Sequence, residues 1–544
     1  MKRKGWKDQR KGNAGAIALP DCRPSREQRT RLVGSMLAEA LQHHRVGQLS
    51  AAEAIYRKIL QLDSSHADSL HLLGVVTHQQ GNHAEAVELI SKAITAYPSG
   101  ASYYLNLGNA LRSMGKLDEA IQAYRRSLAL APESFEAHVN LGNVLRMKGL
   151  VAEAIDSYKQ SLALQADNPE AYNNLGNAYQ GEGREQDAEA CYRRALALNP
   201  THASAHHNLG NLLMEQGELE QGLRQLETAL EIAPQYHDAV FSIALVELKK
   251  GEFSSGWQKF EERWNTESHD TPQRHYSQPL WTGEKLADGK LFIWGEQGIG
   301  DEIMFAGLIP EVIRAGNRCI VECDPRLQPM FSRSFADAEV IARGGETPAF
   351  DAHLPSGSLP GLLRGSLESF ARVTSPYLFA DEARRAQCRS RYDDGRRVVG
   401  LAWHTRNKRT GRRRSISLPT FAPLFALPGI RWVSLQYGDH ADLEEQAQRA
   451  SAPLCIDREV DQLQDMDSFA AQIAALDLVI TIDNSTAHLA GALGIPAWLL
   501  LPHSSDWRWL NDRQDSPWYP SLRLFRQPQP NDWSSVIAQL CDAL

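Results

Sequence analysis

Residues 481–494 read Thr-Ile-Asp-Asn-Ser-Thr-Ala-His-Leu-Ala-Gly-Ala-Leu-Gly and decide the fold of the second half of the chain. The apolar, β-branched residues that lead into this stretch predict a strand, and the apolar residues after Asn484 recur at helical spacing. Gly494 and Pro496 predict the end of that helix, and residues 497–501 read as the next buried strand. The stretch therefore predicts a strand–turn–helix–strand unit of an α/β sheet.

The turn of this unit carries residue types that cap helices and can bind anions. The polar residues at the junction of strand and helix are Asp483, Asn484, Ser485 and Thr486. They offer hydroxyls beside the free backbone N–H groups of a helix N-terminus, where an anion is stabilised. An ordinary capped helix explains the same residues, so the turn alone leaves both interpretations open.

A second strand–turn–helix unit lies at residues 290–305. Its strand leads through Gly295-Glu-Gln-Gly-Ile-Gly into a helix that begins near Asp301. Gly298 and Gly300 permit a tight turn and let a ligand approach the backbone. The turn lacks the third glycine of a dinucleotide site and the lysine of a P-loop, and Asp301 taken alone is explained as a helix cap.

Length and composition predict a multidomain globular protein. The chain has 544 residues, of which 42% are hydrophobic and 23% charged, so three or more domains are expected. The net charge of −8 argues against general nucleic-acid binding. No apolar run reaches membrane-spanning length, and the basic start lacks the apolar core of a secretory signal. Seven scattered cysteines without metal spacing predict no metal site and a reducing, cytoplasmic location.

The first half of the chain is repetitive. Residues 1–32 are basic and aperiodic and predict a disordered arm, and residues 33–270 repeat with a period of 34. Small residues recur at positions 8 and 20 of each repeat, bulky residues at position 24 and prolines at position 32, which predicts two closely packed antiparallel helices per repeat. The predicted repeats start at Val33, Ala67, Ala101, Phe135, Pro169, Ala203 and His237. The pattern resembles the tetratricopeptide repeat, in seven copies.

Asparagines recur at two positions of the first helix in four consecutive repeats. Position 6 is Asn106, Asn140, Asn174 and Asn208, and position 9 is Asn109, Asn143, Asn177 and Asn211. An amide both donates and accepts hydrogen bonds, so the position-6 residues are predicted to bind the backbone of an extended peptide. The array resembles the asparagine ladder of the O-linked N-acetylglucosamine transferases. Hydrogen bonding between repeats is the alternative.

The last repeat and the residues after it predict a junction with two α/β regions. Trp257, Phe260 and Trp264 share one helical face and are expected to pack the repeats onto the next domain. Alternating strands and helices follow in residues 271–390 and again in residues 391–544, with a charged linker near the boundary.

The strand of residues 398–403 runs into a strongly cationic loop. Lys408, Arg414 and Ser415 of this loop could hold phosphates, because the loop follows the carboxyl end of a strand, where open α/β sheets bind ligands. A solvated basic loop is the alternative.

The two α/β regions resemble the two Rossmann-like halves of a GT-B glycosyltransferase. Gly300-Asp301 and the stretch 483–494 look like the corresponding motifs of the ADP-heptose:lipopolysaccharide heptosyltransferase family, and repeats followed by Trp294-Gly-Glu-Gln-Gly-Ile-Gly-Asp resemble a bacterial group of repeat-containing glycosyltransferases. The resemblance covers residues 291–544.

The resemblance implies roles for particular residues. Asp301 would be the general base that takes the proton of the acceptor hydroxyl, with His404 as a rival. His488 would donate to a phosphate or serve as a packing residue. The residues expected at the donor and its diphosphate are Gly298, Gly300, Lys408, Arg414, Ser415, Gln436, Asp483, Asn484, Ser485, Thr486 and His488.

The sequence is therefore interpreted as an all-α tetratricopeptide solenoid followed by a GT-B fold. The predicted function is inverting, metal-independent transfer of a sugar from an ADP- or UDP-linked donor to a protein acceptor recruited by the repeats, with no cofactor beyond this co-substrate. Two alternatives stay open: a repeat scaffold with a degenerate, non-catalytic transferase domain, and a lipid- or glycan-directed enzyme similar to the heptosyltransferases. The sequence predicts no oligomeric state.

Overall fold

The protein is described by a computed structural model in which the chain forms two compact units, residues 1–178 and 179–544. The residues that the structure describes are 26–266, 269, 271–407 and 410–544. Within these ranges, no helix is long and apolar enough to cross a membrane.

The first unit is built from pairs of antiparallel helices. They are α1 (Arg26–Arg45), α2 (Leu49–Leu62), α3 (Ala67–Gln79), α4 (His83–Ala96), α5 (Ala101–Ser113), α6 (Leu117–Leu130), α7 (Phe135–Met147), α8 (Val151–Leu164) and α9 (Pro169–Glu182), the last of which runs on into the second unit. From α3 onward, the first helix of each pair begins at the predicted start of a repeat. The N-terminal helical region is thus a solenoid of tetratricopeptide repeats.

The first helix begins earlier than the sequence predicts. Residues 26–32, which were assigned to the disordered arm, form the first turns of α1, and the rest of the arm lies outside the described residues. No proline or glycine interrupts the chain between Arg26 and Val33, and Arg31 pairs with Glu27 one turn away at 2.7 Å. The helix therefore extends back from the buried Val33 through exposed helix-forming residues.

The predicted pairing of small and large residues holds each helix pair together. A Cβ on Gly108 would lie 2.5 Å from Cε1 of Tyr124, which is fully buried, and Gly142 meets Tyr158 in the same way at 2.6 Å. Only glycine leaves room for the tyrosine ring at this separation of the helices.

The second unit begins with the remaining repeat helices, which pack onto the α/β region as predicted. They are α10 (Glu185–Leu198), α11 (Ala203–Gln216), α12 (Leu219–Ile232), α13 (His237–Lys250) and α14 (Phe253–Phe260), followed by a 3-10 turn at Glu261–Asn265. Trp257 is buried, stacks edge-on against Trp507 at 5.4 Å between centroids, and donates to the carbonyl of Arg364 at 3.0 Å. Arg263, also fully buried, donates to both carboxylate oxygens of Glu296.

The first α/β layer is a parallel sheet with strand order β3-β2-β1-β4 in the part of the chain that is described. Its strands are β1 (Lys290–Trp294), β2 (Arg318–Cys323), β3 (Glu339–Ala342) and β4 (Ala352–Pro355), and its helices are α15 (Ile299–Ala306), α16 (Ile309–Arg314), α17 (Gln328–Ser334) and α18 (Leu359–Leu363). The buried β1 lies between β2 and β4, in register through Phe292 with Ile320 and His353.

The second layer is a parallel sheet with strand order β10-β9-β8-β5-β6-β7 among the described residues. Its strands are β5 (Arg397–Leu401), β6 (Ile430–Ser434), β7 (Leu454–Cys455), β8 (Leu478–Ile482), β9 (Ala497–Leu501) and β10 (Leu522–Arg526). Its helices are α19 (Glu382–Tyr392), α20 (Gly411–Arg414), α21 (Ala422–Phe425), α22 (His440–Arg449), α23 (Met466–Ala474), α24 (Ser485–Ala492) and α25 (Trp533–Ala543).

The charged linker predicted at the boundary of the two α/β regions is mostly a helix. Asp381 caps the N-terminus of α19 by accepting from the backbone N–H of Arg384 at 2.9 Å, and Cys388 and Tyr392 bury its inner face. Its arginines lie at the surface, where some of them pair with residues of the second layer; Arg389, for example, pairs with Asp477 at 2.8 Å. A polar composition therefore concealed an amphipathic helix with a narrow apolar stripe.

Candidate functional site

A cavity of about 800 Å³ lies in the second unit, where both sheets and the last repeats contribute to its wall. The carboxyl ends of parallel strands deliver loops and helix N-termini to one edge of each sheet, the usual place of a ligand in such folds. Strand β1 leads through the glycine-rich turn to Asp301, and β8 leads to Asn484 and Ser485. The two turns singled out in the sequence thus open onto the same cavity.

The N-terminus of α24 is capped by the residues that were expected there. Asn484 Oδ1 accepts from the backbone N–H of Thr486 at 3.0 Å and from the hydroxyl of Thr481 at 3.1 Å. The hydroxyl of the buried Thr486 and Nδ2 of Asn484 have no hydrogen-bond partner within the described ranges. Ser485 lines the cavity at the first position of the helix. The Thr486 hydroxyl and Asn484 Nδ2 are both buried and Thr486 does not line the cavity, so what faces the cavity here is Ser485 beside the positive end of the helix.

A chain of alternating charges crosses the cavity from one α/β layer to the other. Asp301 pairs with Arg508, which pairs with Asp506 at 2.7 Å; Asp506 lies 3.2 Å from Arg414, and Arg414 lies 3.0 Å from Asp483. The predicted base and the predicted phosphate-binding arginine are thus parts of one network. Both arginines already have carboxylate partners.

The network sets the protonation of its members. Burial disfavours the charged forms, but the carboxylates of Asp301 and Asp506 outweigh it and raise the pKa of Arg508. Burial likewise opposes ionisation of Asp506, yet Arg508 and Arg414 lower its pKa below the ordinary range. At Asp483 burial prevails over Arg414, so its pKa is raised.

His488 packs between the two layers and is neutral. Its Nδ1 lies 2.8 Å from the hydroxyl of Tyr519, its ring stacks on Trp509, and a Cβ on Gly300 would lie 3.1 Å from its Cδ2. Burial, with a contribution from Arg508, lowers the pKa of His488 to about 4. The imidazole therefore supplies no positive charge for a phosphate at neutral pH, although it reaches the cavity wall.

Of the predicted site residues that the structure describes in the loop after β5, Arg414 lines the cavity and His404 and Ser415 do not. His404 is exposed. Ser415 Oγ accepts from the backbone N–H of Thr405 at 3.1 Å, which ties the two ends of the loop together. Lys408 lies outside the described residues.

Gln436 has a bracing role in this region. Its Oε1 accepts from the backbone N–H groups of Trp403 and His404, at 3.1 and 2.8 Å, and its Nε2 donates to the carbonyl of His404 at 3.1 Å. The side chain is buried and fixes the start of the loop after β5.

The position-6 asparagines that the structure places in the first unit make contacts within the solenoid. Asn106 Nδ2 lies 2.8 Å from His71 Nε2, Asn140 donates to Asn109 Oδ1 at 3.2 Å, and the buried Asn174 donates to Glu170 at 3.1 Å. Asn208, in the second unit, is half-buried. These contacts fit the structural alternative, and peptide binding by the position-6 residues stays a prediction.

Several residues of the cavity wall were not predicted from the sequence, among them the loop after β9 and Lys249. The loop after β9 supplies Ser504, Asp506 and Arg508, although it follows a strand's carboxyl end and the rule applied to the loop after β5 would have found it. Lys249, at the end of α13, also lines the cavity. No local pattern distinguishes it from Lys250, its exposed neighbour.

Comparison with known proteins supports the repeat assignment. A family described as the cilia and flagella-associated protein 70 C-terminal domain matches residues 14–242, less than half of the chain. Protein FlbA of Caulobacter vibrioides is 32% identical over 314 residues, which are 53% of this chain and 52% of FlbA. The chain thus spans about half the length of this curated relative.

Solved structures resemble parts of the chain. PilF of Pseudomonas aeruginosa is 21% identical and matches 40% of this chain and 98% of its own, with a TM-score of 0.36. YrrB, described as a TPR protein with an unusual peptide-binding site, is 21% identical and matches 35% of this chain and 98% of its own, with a TM-score of 0.30.

Proposed function

We propose that the α/β region is a GT-B glycosyltransferase, inverting and metal-independent, which moves a sugar from a nucleoside-diphosphate sugar to a protein recruited by the repeats. One observation carries the proposal: Asp301 on α15 and the N-terminus of α24 open onto one cavity, although they belong to different sheets. A base on one side and an anion-binding helix end on the other is the arrangement that transfer between two substrates requires.

Asp301 would act as the base through its second carboxylate oxygen. Oδ1 is bound by Arg508, and Oδ2 has no hydrogen-bond partner in the part of the chain that is described. Oδ2 would accept the proton of the acceptor hydroxyl as that oxygen attacks the anomeric carbon and the nucleoside diphosphate departs. The ion pair with Arg508 would hold the carboxylate in place for this step.

The N-terminus of α24 would hold the departing diphosphate. Backbone N–H groups at the start of the helix, with the hydroxyl of Ser485, would donate to phosphate oxygens as negative charge develops there. Charge stabilisation of this kind lets the leaving group depart without a bridging metal. ADP and UDP are the first candidates for the leaving group.

A non-catalytic scaffold is the second candidate, and the network of charges favours it. Arg414 and Arg508 are engaged by Asp483, Asp506 and Asp301, so neither is unpaired and ready to receive a phosphate. A domain that no longer binds a nucleotide sugar would retain a cavity whose arginines pair with the protein's own carboxylates.

Binding of nucleotides to the full-length protein separates the two candidates. Melting temperatures would be recorded with ADP, UDP, GDP, dTDP and CMP in buffer containing a chelator. The transferase proposal expects one of the diphosphates to raise the melting temperature at submillimolar concentration, and the corresponding nucleoside to do so much less. If millimolar nucleotide leaves the melting temperature unchanged in every case, the scaffold is favoured.

A further inference from the structure

Six lysine and arginine side chains line the described cavity, and most of them are already in ion pairs. They are Lys249, Arg326, Arg406, Arg413, Arg414 and Arg508. Arg326 pairs with Asp324 at 2.8 Å and Arg413 with Glu185 and Glu215 at 2.8 Å, in addition to the pairs of Arg414 and Arg508 described above. A cation with no carboxylate partner can bind an incoming diphosphate without first breaking an ion pair.

Within the described residues, Lys249 and Arg406 meet this requirement. Arg406 is exposed and lies over the ring of Tyr437 at 5.6 Å, whereas Lys249 is buried and held in place. Its ammonium donates to Ser504 Oγ at 3.0 Å, which is the partner that the described part of the chain gives it. The Ser504 hydroxyl in turn donates to the carbonyl of Met214 at 2.8 Å, so its oxygen is left to accept from the lysine. Lys249 thus has an ordered ammonium group with two N–H donors to spare.

Lys249 is charged at neutral pH, although its burial destabilises the charged form. The side chain is only 7% exposed, and burial lowers the pKa of Lys249 to about 8. Asp506, on the loop after β9, favours the charged form, and Arg526, at the end of β10, disfavours it. An incoming anion would relieve the unfavourable burial of this charge, so binding and protonation would support each other.

We propose that Lys249 binds a phosphate oxygen of the nucleoside diphosphate, so that the last tetratricopeptide repeat forms part of the donor site. This inference rests on the proposed transferase function and deepens it. The lysine belongs to α13, whereas the N-terminus of α24 follows β8 of the second sheet. The repeats would then complete the donor site as well as recruit the acceptor, and an α/β region without them would bind nucleotide weakly.

Calorimetric titration of the full-length protein with ADP and UDP tests the inference. Lys249→Met keeps most of the side-chain volume and removes the charge; Lys250→Met is the matched control, since Lys250 is an exposed neighbour that pairs with Glu252 at 3.1 Å. We expect Lys249→Met to weaken diphosphate binding at least tenfold and Lys250→Met to change it less than twofold. Ser504→Ala, which loosens the ammonium without removing it, is expected to weaken binding about threefold.

The outcomes separate the two proposals. If the wild-type protein binds a diphosphate and Lys249→Met binds it equally well, the role of Lys249 is wrong and the transferase proposal stands. If the wild-type protein binds neither ADP nor UDP, nor any other nucleotide of the melting-temperature screen, both are overturned. Titration with inorganic pyrophosphate and with the parent nucleoside shows which part of the nucleotide Lys249 contacts. Lys249→Met is expected to lose affinity for pyrophosphate and not for the nucleoside. The reverse result contradicts a phosphate contact. Melting temperatures without ligand verify that each variant is folded.

Discussion

Arg508 donates to Oδ1 of Asp301 and leaves Oδ2 of the same carboxylate without a hydrogen-bond partner in the described residues. Because the guanidinium is itself fixed by Asp506 at 2.7 Å, the carboxylate has a defined orientation toward the cavity. A base needs such an orientation before the acceptor arrives. The same contact makes the fold depend on Asp301 and Arg508 jointly, so activity and stability are to be measured on the same variants.

Asp301→Asn tests the base. The amide still accepts from Arg508 but takes no proton, so turnover is expected to fall by about 10²–10⁴-fold while the affinity for the nucleoside diphosphate changes less than threefold. Release of nucleoside diphosphate from the nucleotide sugar measures turnover, and calorimetry measures affinity. A variant that is folded, binds nucleotide and turns over at the wild-type rate would assign the base elsewhere.

Arg508→Met tests the stabilising side of the same contact. Removal of the guanidinium leaves the carboxylates of Asp301 and Asp506 without their shared partner. We expect a loss of roughly 2–4 kcal/mol in the free energy of unfolding, somewhat below the 3–5 kcal/mol of a fully buried pair because these side chains keep some exposure. The double variant Asp301→Asn/Arg508→Met should recover part of that loss. Urea unfolding measures all three proteins, and equal stability of the single and double variants would contradict the coupling.

The burial of Lys249 predicts a particular dependence of stability on pH. Its pKa is lowered to about 8 in the folded protein from an ordinary value near 10.5, so the folded state binds fewer protons than the unfolded chain between these values. The buried charge of Lys249 therefore destabilises the folded protein fully below pH 8, and this destabilisation decreases as the pH rises toward 10.5. Lys249→Met should be more stable than wild type at pH 7, by about 1–3 kcal/mol, and this advantage should shrink by pH 9.5.

Urea unfolding at pH 7, 8, 9 and 9.5 measures this difference, and Lys250→Met provides the reference for the loss of an exposed lysine. Because each variant is compared with the wild type at the same pH, the contributions of other titrating groups cancel. A constant difference between Lys249→Met and wild type across the range would mean that Lys249 titrates normally.

Local patterns were enough to predict the repeats and both turns. The start of each helix pair from Ala67 onward follows from a period that each repeat restates, and the N-cap residues at Asn484 act on the helix that they precede. The pairs of Arg508 with Asp301 and of Arg414 with Asp483 and Asp506 could not be predicted, since each joins residues that follow different strands. Tertiary packing also decides that Lys249 is buried and Lys250 is not.

The position-9 asparagines predict a graded effect on the stability of the solenoid. Asn109 Oδ1 accepts from Tyr124 at 2.8 Å and from Asn140 at 3.2 Å, whereas Asn143 Oδ1 accepts from Tyr158 at 2.7 Å. Each donor left unpaired costs about 1–3 kcal/mol. Alanine at position 109 should therefore destabilise the protein about twice as much as alanine at position 143. Equal losses in urea unfolding would mean that the contact between repeats contributes little.

The close approach of helices α5 and α6 predicts opposite effects of the same substitution at two helical glycines. At Gly108 a new methyl group would lie 2.5 Å from the buried ring of Tyr124, which can move only by displacing its neighbours, so Gly108→Ala should cost about 1–3 kcal/mol. At Gly34, inside α1, no atom lies within 4 Å of the new methyl, and Gly34→Ala should stabilise by about 0.5–1 kcal/mol through helix propensity. Urea unfolding measures both variants. Since propensity favours alanine at each site, a stabilised Gly108→Ala would show that the helices can separate without loss, and the small–large pairing would not be what fixes their spacing.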